Sequence, residues 1–392
     1  MKIIIKTMEG LEEVLSRELE DLQLMDIHPL RRAVECEGNT SQLYKCNYQL
    51  RTALRVLVPF AEFECNSEDE LYEAASSIRW QEYLKEKQTF AIDATVSGEV
   101  FKHSQYVVYK VKDAIVDQLR EVFGERPSID VKNPGIRFNI HISKNKVTLS
   151  RDSSGQSLHL RNYKYRTYKA PLNEVLAAGI ILLSGWDRKQ TLQDPMCGSG
   201  TLITEALSLA GNIPPGKFIE NFGFEKWPDF QPDLWKHVKD SAVDQIRNPD
   251  VEIIASDLSS YAVRDVKKNL QKFPFKEKVK LYQRDFFKTH GHHDRLLIMN
   301  PPYDKRVALD DAGDFYSKIG DALKTFWKGS SAWIFSGNID AIKHVGLRPS
   351  VKHTLFNGGI ESKLHKFDMY EGSKKQKYNQ DDNRRRPRRP RI

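Results

Sequence analysis

The chain has 392 residues, more than one typical domain holds, so two or three domains are expected. Its 40% hydrophobic and 29% charged residues make an ordinary globular composition, and no run approaches the roughly 18 apolar residues of a membrane span. The net charge of +8 is concentrated: residues 373–392 carry nine Lys or Arg against two Asp, leaving 52 basic and 51 acidic side chains elsewhere. Such a tail buries no apolar area and is expected to be disordered; its arginines, interrupted by prolines, suit phosphate contacts, with plain solubility as the competing reading.

The first element is a strand over Lys2–Lys6, too short for a signal-peptide core, which points to a cytoplasmic protein. A helix with Leu11, Val14, Leu15, Leu19 and Leu22 on one face follows, then a strand near Ala33–Cys36. A helix from Ser41 to about Leu50 and an apolar strand, Ala53–Phe60, come next. Asn66-Ser67-Glu68-Asp69 caps another helix, with acids in its first turn. Thr89–Ser97 alternates as a strand, Gln105–Phe123 is a long amphipathic helix, and Phe138–Ile142 and Lys146–Leu149 form a tight hairpin. This is an α+β module without a catalytic constellation of its own. The cysteines Cys36, Cys46, Cys65 and Cys197 lack C-x-x-C spacing and fit reduced, buried thiols. His290, His292 and His293 have no acid or cysteine at ligand spacing, so no metal is expected.

Residues 151–170 change character. Arg161, Lys164, Arg166 and Lys169 interleave with Tyr163, Tyr165 and Tyr168, a mixture that suits nucleic acid as well as it suits a draped linker. From Pro171 the pattern is Rossmann-like: a helix through Leu172–Leu183, a strand before Asp194, and a Pro/Trp-containing insertion over residues 211–250. Strands then end at Asp257, near Asp285 and at Asn300. A helix (about Phe315–Trp327), a strand (Ala332–Phe335) and a helix from Asn338 precede two β-prone runs, Val351–Phe356 and Ser362–Met369, which meet at Asn357-Gly358-Gly359.

The stretch Asp194-Pro195-Met196-Cys197-Gly198-Ser199-Gly200-Thr201 organises this half. Strand, glycine turn and helix bring backbone N–H groups to the carboxyl edge of a parallel sheet, where a cofactor binds. Ile203 stands where a dinucleotide fingerprint needs its third glycine, which counts against a nicotinamide enzyme. Asp257, with Leu258 beside it, suits ribose hydroxyls; Asp285 suits an adenine amino group, with Phe286 next to the ring. Together these fit S-adenosylmethionine (SAM), whose cationic sulfonium would favour a nearby carboxylate such as Asp194. Asn300-Pro301-Pro302-Tyr303 would form the acceptor site. The prolines delete two donors and free carbonyl oxygens, Asn300 and Pro301 can each accept an N–H of an exocyclic amine, and Tyr303 would stack on a flipped base.

These residues carry a resemblance. Leu158-His-Leu-Arg-Asn-Tyr163, Ala170-Pro-Leu-Asn-Glu174, the glycine turn, Asn300-Pro-Pro-Tyr303, Asn212-Ile-Pro-Pro-Gly216 and Phe224-Glu-Lys-Trp227 make the chain similar to the bacterial THUMP-domain 23S rRNA guanine-N2 methyltransferases. The resemblance implies a ferredoxin-like part over 1–50, an RNA-binding THUMP domain over 51–155, a linker over 156–170 and a methyltransferase domain over 171–372. The implied fold is an α/β Rossmann-like class I methyltransferase domain, a mostly parallel sheet ending in an antiparallel hairpin, preceded by the α+β module. It further implies SAM as cofactor, S-adenosylhomocysteine (SAH) as product, and RNA, chiefly 23S rRNA or a large-subunit precursor, as partner. After Tyr303 the family continues Gly-Glu-Arg, whereas this chain has Asp304-Lys305-Arg306. Some relatives append a second methyltransferase, for which 392 residues leave no room. The alternatives are an adenine-N6 methyltransferase on DNA or RNA, since the same Asn-Pro-Pro-Tyr serves that amine, and a non-catalytic RNA-binding assembly factor.

Overall fold

The computed structural model describes residues 1–165, 172–291, 293–302 and 312–370; Tyr303, Asp304, Lys305, His292 and the basic tail lie outside them. The chain divides into two compact units, one formed by Met1–Asn162 with Asn212–Ile246 and the other by Tyr163–Gly211 with Arg247–Ile392.

The first unit runs β1 (Lys2–Lys6), α1 (Glu12–Asp21), β2 (Met25–Leu30), β3 (Ala33–Glu37), α2 (Thr40–Gln49), β4 (Arg55–Glu64), α3 (Glu68–Ser76), β5 (Phe90–Ser97), α4 (Ser104–Phe123), β6 (Ile136–Ser143) and β7 (Lys146–Asp152). Side chains alternate along β1, which puts Ile3 and Ile5 fully inside. A capping box between Asn39 and Gln42 starts α2, Ser67 caps α3, and Gly124 at φ 74° ends α4. The strands form one seven-stranded sheet in the order β2-β3-β1-β4-β7-β6-β5, in which only β5 and β6 pair in parallel among these neighbours. Strand β2 escapes the sequence pattern because it lies at the sheet edge with nearly every side chain exposed, leaving no alternation to read.

The second unit opens with α5 (Glu174–Leu183), β8 (Leu192–Asp194) and α6 (Thr201–Ala210). The insertion, containing α7 (Pro232–Asp244), then joins the core of the first unit. Its aromatic residues explain why: Phe224 stacks on Tyr44 with ring centroids 4.3 Å apart, and Trp235 meets Tyr48 edge-on at 5.4 Å. Gly223 and Gly155 let two backbones touch, since a Cβ on Gly223 would sit 2.7 Å from the Asp152 carbonyl oxygen.

The chain resumes with β9 (Ile253–Asp257), α8 (Ser260–Asn269), β10 (Val279–Gln283), β11 (Leu296–Met299), α9 (Ala312–Phe326), β12 (Ser331–Ser336), β13 (Val351–Asn357) and β14 (Ile360–Asp368). The sheet order is β10-β9-β8-β11-β12-β14-β13, parallel through β12, with β14 antiparallel to both neighbours. This is the mostly parallel sheet with a terminal hairpin expected of a class I methyltransferase domain. The helix expected from Asn338 is only a 3-10 turn over Ala341–Val345, closed by Gly346 at φ 66°. Met299, Phe286, Tyr316, Trp327 and Ile334 share one apolar core around β11 and β12.

Candidate active site at the carboxyl edge of the second sheet

Strand β8 is three residues long and wholly buried, with β9 and β11 paired on its two sides. The order reverses at β8, and such a switch point is where open α/β sheets bind ligands, at the carboxyl ends of the strands. Gly198 at φ 51° and Gly200 at φ 80° both take left-handed backbone angles in the turn that follows β8. A Cβ on Gly200 would also lie 2.8 Å from Val266 of α8, so the third position of this turn is closed to any other residue type by packing as well.

Hydrogen bonds hold the turn in place. Met196 N–H donates to Asp194 Oδ1 at 3.1 Å, Gly198 N–H to Asp257 Oδ2 at 2.9 Å, and Cys197 N–H to the Ser256 carbonyl at 3.0 Å. Asp257 Oδ1 accepts Ser259 N–H at 2.9 Å, and Ser259 caps α8. Leu258, between them, is 71% exposed. Burial pushes the Asp194 carboxyl up to about 8; the Met196 N–H opposes this and the neighbouring Asp257 adds to it. The Cys197 thiol is raised well above its usual range, chiefly by burial, so it remains a neutral packing group. Pro195 is buried and Ser199 half-buried, and Thr201 is buried with its hydroxyl unpartnered among the described residues.

Strand β10 leads to Asp285, half-buried, whose Oδ1 accepts Phe287 N–H at 3.0 Å. Phe286 is buried and stacks on Trp327 at 6.3 Å, so its ring is part of the core, and Asp285 is the member of that pair left at the strand end. At the end of β11, Asn300 Oδ1 is buried without a hydrogen-bond donor among the described residues. Pro301 is buried and Pro302 exposed; neither has an N–H to offer. An orphaned carboxamide oxygen costs about 1–3 kcal/mol unless a donor arrives from elsewhere. The sequence-derived residues therefore converge on one edge, with Tyr303 outside the described residues. Among the described residues, no three His, Cys, Asp or Glu side chains are grouped to hold a metal ion.

One positioning residue escaped the sequence reading. Asn269, on the buried face of α8, donates from Nδ2 to the Ser199 carbonyl at 3.0 Å and accepts Tyr165 N–H at 2.7 Å. The available signal was a carboxamide three residues after Val266, on the apolar face of an amphipathic helix. Three side chains of the basic–tyrosine stretch are structural, while Arg166, Tyr168 and Lys169 lie outside the described residues. Tyr163 donates its hydroxyl to Glu205 at 3.0 Å, Lys164 pairs with Glu174 at 2.7 Å, and Arg161 is buried on backbone carbonyls.

Comparison with known proteins adds to this geometry. The description "RMKL-like, methyltransferase domain" matches residues 161–366, "THUMP domain" matches 65–152, and "RlmL ferredoxin-like domain" matches 2–57. The chain belongs to the RMKL-like methyltransferase family. It is 37% identical over 367 residues to a Synechocystis protein named "Putative RNA methyltransferase slr0064", covering 92% of this chain and 95% of that one. It is 34% identical to the "Ribosomal RNA large subunit methyltransferase K/L" of Syntrophotalea carbinolica, over 95% of this chain and 54% of that protein. The chain thus spans about half the length of its K/L relatives. Among solved structures, "SMU.472, a putative methyltransferase complexed with SAH" superposes with a TM-score of 0.84 at 28% identity, covering 95% of this chain and 99% of that one.

Proposed function

We propose that the protein transfers a methyl group from SAM to the exocyclic N2 amine of a guanine in RNA, with large-subunit ribosomal RNA as substrate. The observation that carries the acceptor assignment is the buried Asn300 Oδ1, without a donor among the described residues, at the strand end beside the glycine turn. The family supplies the reaction class, and names of relatives supply the RNA.

The residues fit the cofactor. Gly198 is exposed and open to close backbone approach, Asp257 and Asp285 stand at neighbouring strand ends, and the Thr201 hydroxyl, unpartnered among the described residues, sits at the first turn of α6. When bound, SAM supplies an electrophilic methyl on a cationic sulfonium. Asp194, buried beneath the turn, is the carboxylate that such a cation would favour in ionised form. Asn300 Oδ1 and the Pro301 carbonyl accept the two N–H bonds of the amine, which localises its lone pair and aims it. No strong base is required beforehand, since the nitrogen becomes acidic only on alkylation. Tyr303 keeps its expected role as the stacking face for the extruded base.

Guanine N2 is preferred over adenine N6 on the motif resemblance to guanine-N2 methyltransferases, the names of the K/L relatives giving the RNA but not the base, and nothing in the site favours the non-catalytic alternative. The test is incubation of the full chain with methyl-labelled SAM and either ribosomal RNA or duplex DNA. Label in RNA supports the reading; label in DNA alone, or in neither while SAM still binds, contradicts it.

A further inference from the structure

The inner side of α8 supports the glycine turn through Val266 and Asn269. Its outer side carries Tyr261, Arg264 and Lys268, spaced three and four residues apart and therefore on one face. Two ring–cation pairs lie there. The Arg264 guanidinium carbon is 5.0 Å from the centre of the Tyr261 ring, and Lys268 Nζ is 4.0 Å from that of Tyr165. Tyr261 is 68% exposed and Tyr165 is 55% exposed. Neither Arg264 nor Lys268 forms an ion pair with a carboxylate among the described residues. Residues 260–280 hold seven Lys or Arg against two acids, one of which, Asp265, is buried, in a chain whose charges otherwise nearly balance outside the tail.

We propose that this outer face of α8 is a platform for the single-stranded RNA flanking the target nucleotide; the proposal rests on the RNA-methylation reading above. Rings take bases and the paired cations take phosphates, the combination used by proteins that bind single strands with little sequence preference. From Tyr261 to Lys268 the helix rises ~10 Å, the length of about three stacked nucleotides. An acidic protein partner would use the cations and leave the rings idle. Exposed Leu258 and the Ser259 cap join the platform to Asp257, so a strand lying on it arrives at the same sheet edge as Asn300.

The test uses the full chain, a short mixed-sequence single-stranded oligoribonucleotide, and two variants: Tyr261→Ala and the double variant Arg264→Glu/Lys268→Glu. SAM affinity within about twofold of wild type certifies that each variant is folded. The double variant is expected to bind the oligonucleotide at least about tenfold more weakly, with the slope of log K against log salt reduced by roughly 1.4. Tyr261→Ala is expected to weaken binding about fivefold or more with the slope unchanged. Wild-type binding retained by both variants overturns the platform and leaves the methyltransferase reading standing. A loss confined to the charge-reversal variant overturns it in favour of a merely electrostatic patch. A wild-type chain that neither binds the oligonucleotide nor methylates RNA overturns both readings together.

Discussion

The strand ends of β8 and β9 differ from that of β11 in one chemical respect. Asp194 and Asp257 already accept the N–H groups of Met196, Gly198 and Ser259, while the Asn300 carboxamide oxygen is buried with no donor among the described residues. Both halves of the edge are apolar below and polar above, yet the carboxylates of one already hold donors from the fold and the carboxamide oxygen of the other holds none among the described residues. The satisfied half is a prebuilt cradle, and the unsatisfied oxygen is a position for a donor brought by the substrate.

Removing Asn300 breaks this contrast most severely. Asn300→Ala is expected to lower kcat by roughly a hundred- to a thousandfold, with SAM affinity within a few-fold of wild type, as read by single-turnover kinetics and calorimetry. A parallel loss of SAM affinity would place Asn300 in the cradle and erase the distinction.

Next comes the cradle itself. Gly200→Ala must hold φ 80° and push Val266 aside, so a destabilisation of about 3 kcal/mol is expected. Gly198→Ala meets nothing within 4 Å and carries only the left-handed penalty, about 1 kcal/mol. Thermal unfolding of the two variants checks the ranking; equal costs would mean that contact with Val266 contributes nothing. Asp257→Ala should weaken SAM by about 1.5–3 kcal/mol and leave RNA affinity unchanged, because Asp257 anchors Gly198 rather than the acceptor.

How legible was this in the sequence? The glycine turn, its flanking strand and the aspartates at the strand ends are local in sequence, so spacing and residue type alone mark them. The hairpin after β12 is likewise announced by Asn357-Gly358-Gly359, which the structure turns between β13 and β14. What the pattern could not show is where long-range partners lie. Arg151, at the start of the stretch where the sequence changes character, is bidentate to Asp229 and stacks over Trp227 at 3.9 Å, both in the insertion. Tyr163 and Lys164 are similarly consumed, whereas α8, which reads as an ordinary amphipathic helix, presents an exposed ring and two cations that pair with rings rather than with carboxylates among the described residues. Composition identifies the residue types that touch nucleic acid, and tertiary contacts decide which of them remain free to do so.

A pH dependence sharpens the role of Asp194. Burial, with Asp257 nearby, raises its carboxyl to about 8 in the folded chain, above its ordinary unfolded value. That raised group favours folding fully below the unfolded value, and the contribution is lost as pH rises through about 8. Asp194→Asn, which has no proton to lose, should therefore show a flatter stability profile across the window from about pH 4 to 8. A sulfonium favours the ionised form, so SAM affinity should rise relative to that of SAH, whose thioether is neutral, as pH increases toward 8. A SAM-to-SAH ratio independent of pH would remove Asp194 from contact with the sulfonium's field.

The most direct measurement is the identity of the methylated nucleoside. Full-length chain, SAM with an isotope-labelled methyl group and unmodified large-subunit ribosomal RNA, digested and resolved by mass spectrometry, should yield labelled N2-methylguanosine with the wild type and none with Asn300→Ala. Labelled N6-methyladenosine, or a product that persists when Asn300 is replaced, would contradict the assignment of Asn300 to a guanine amine.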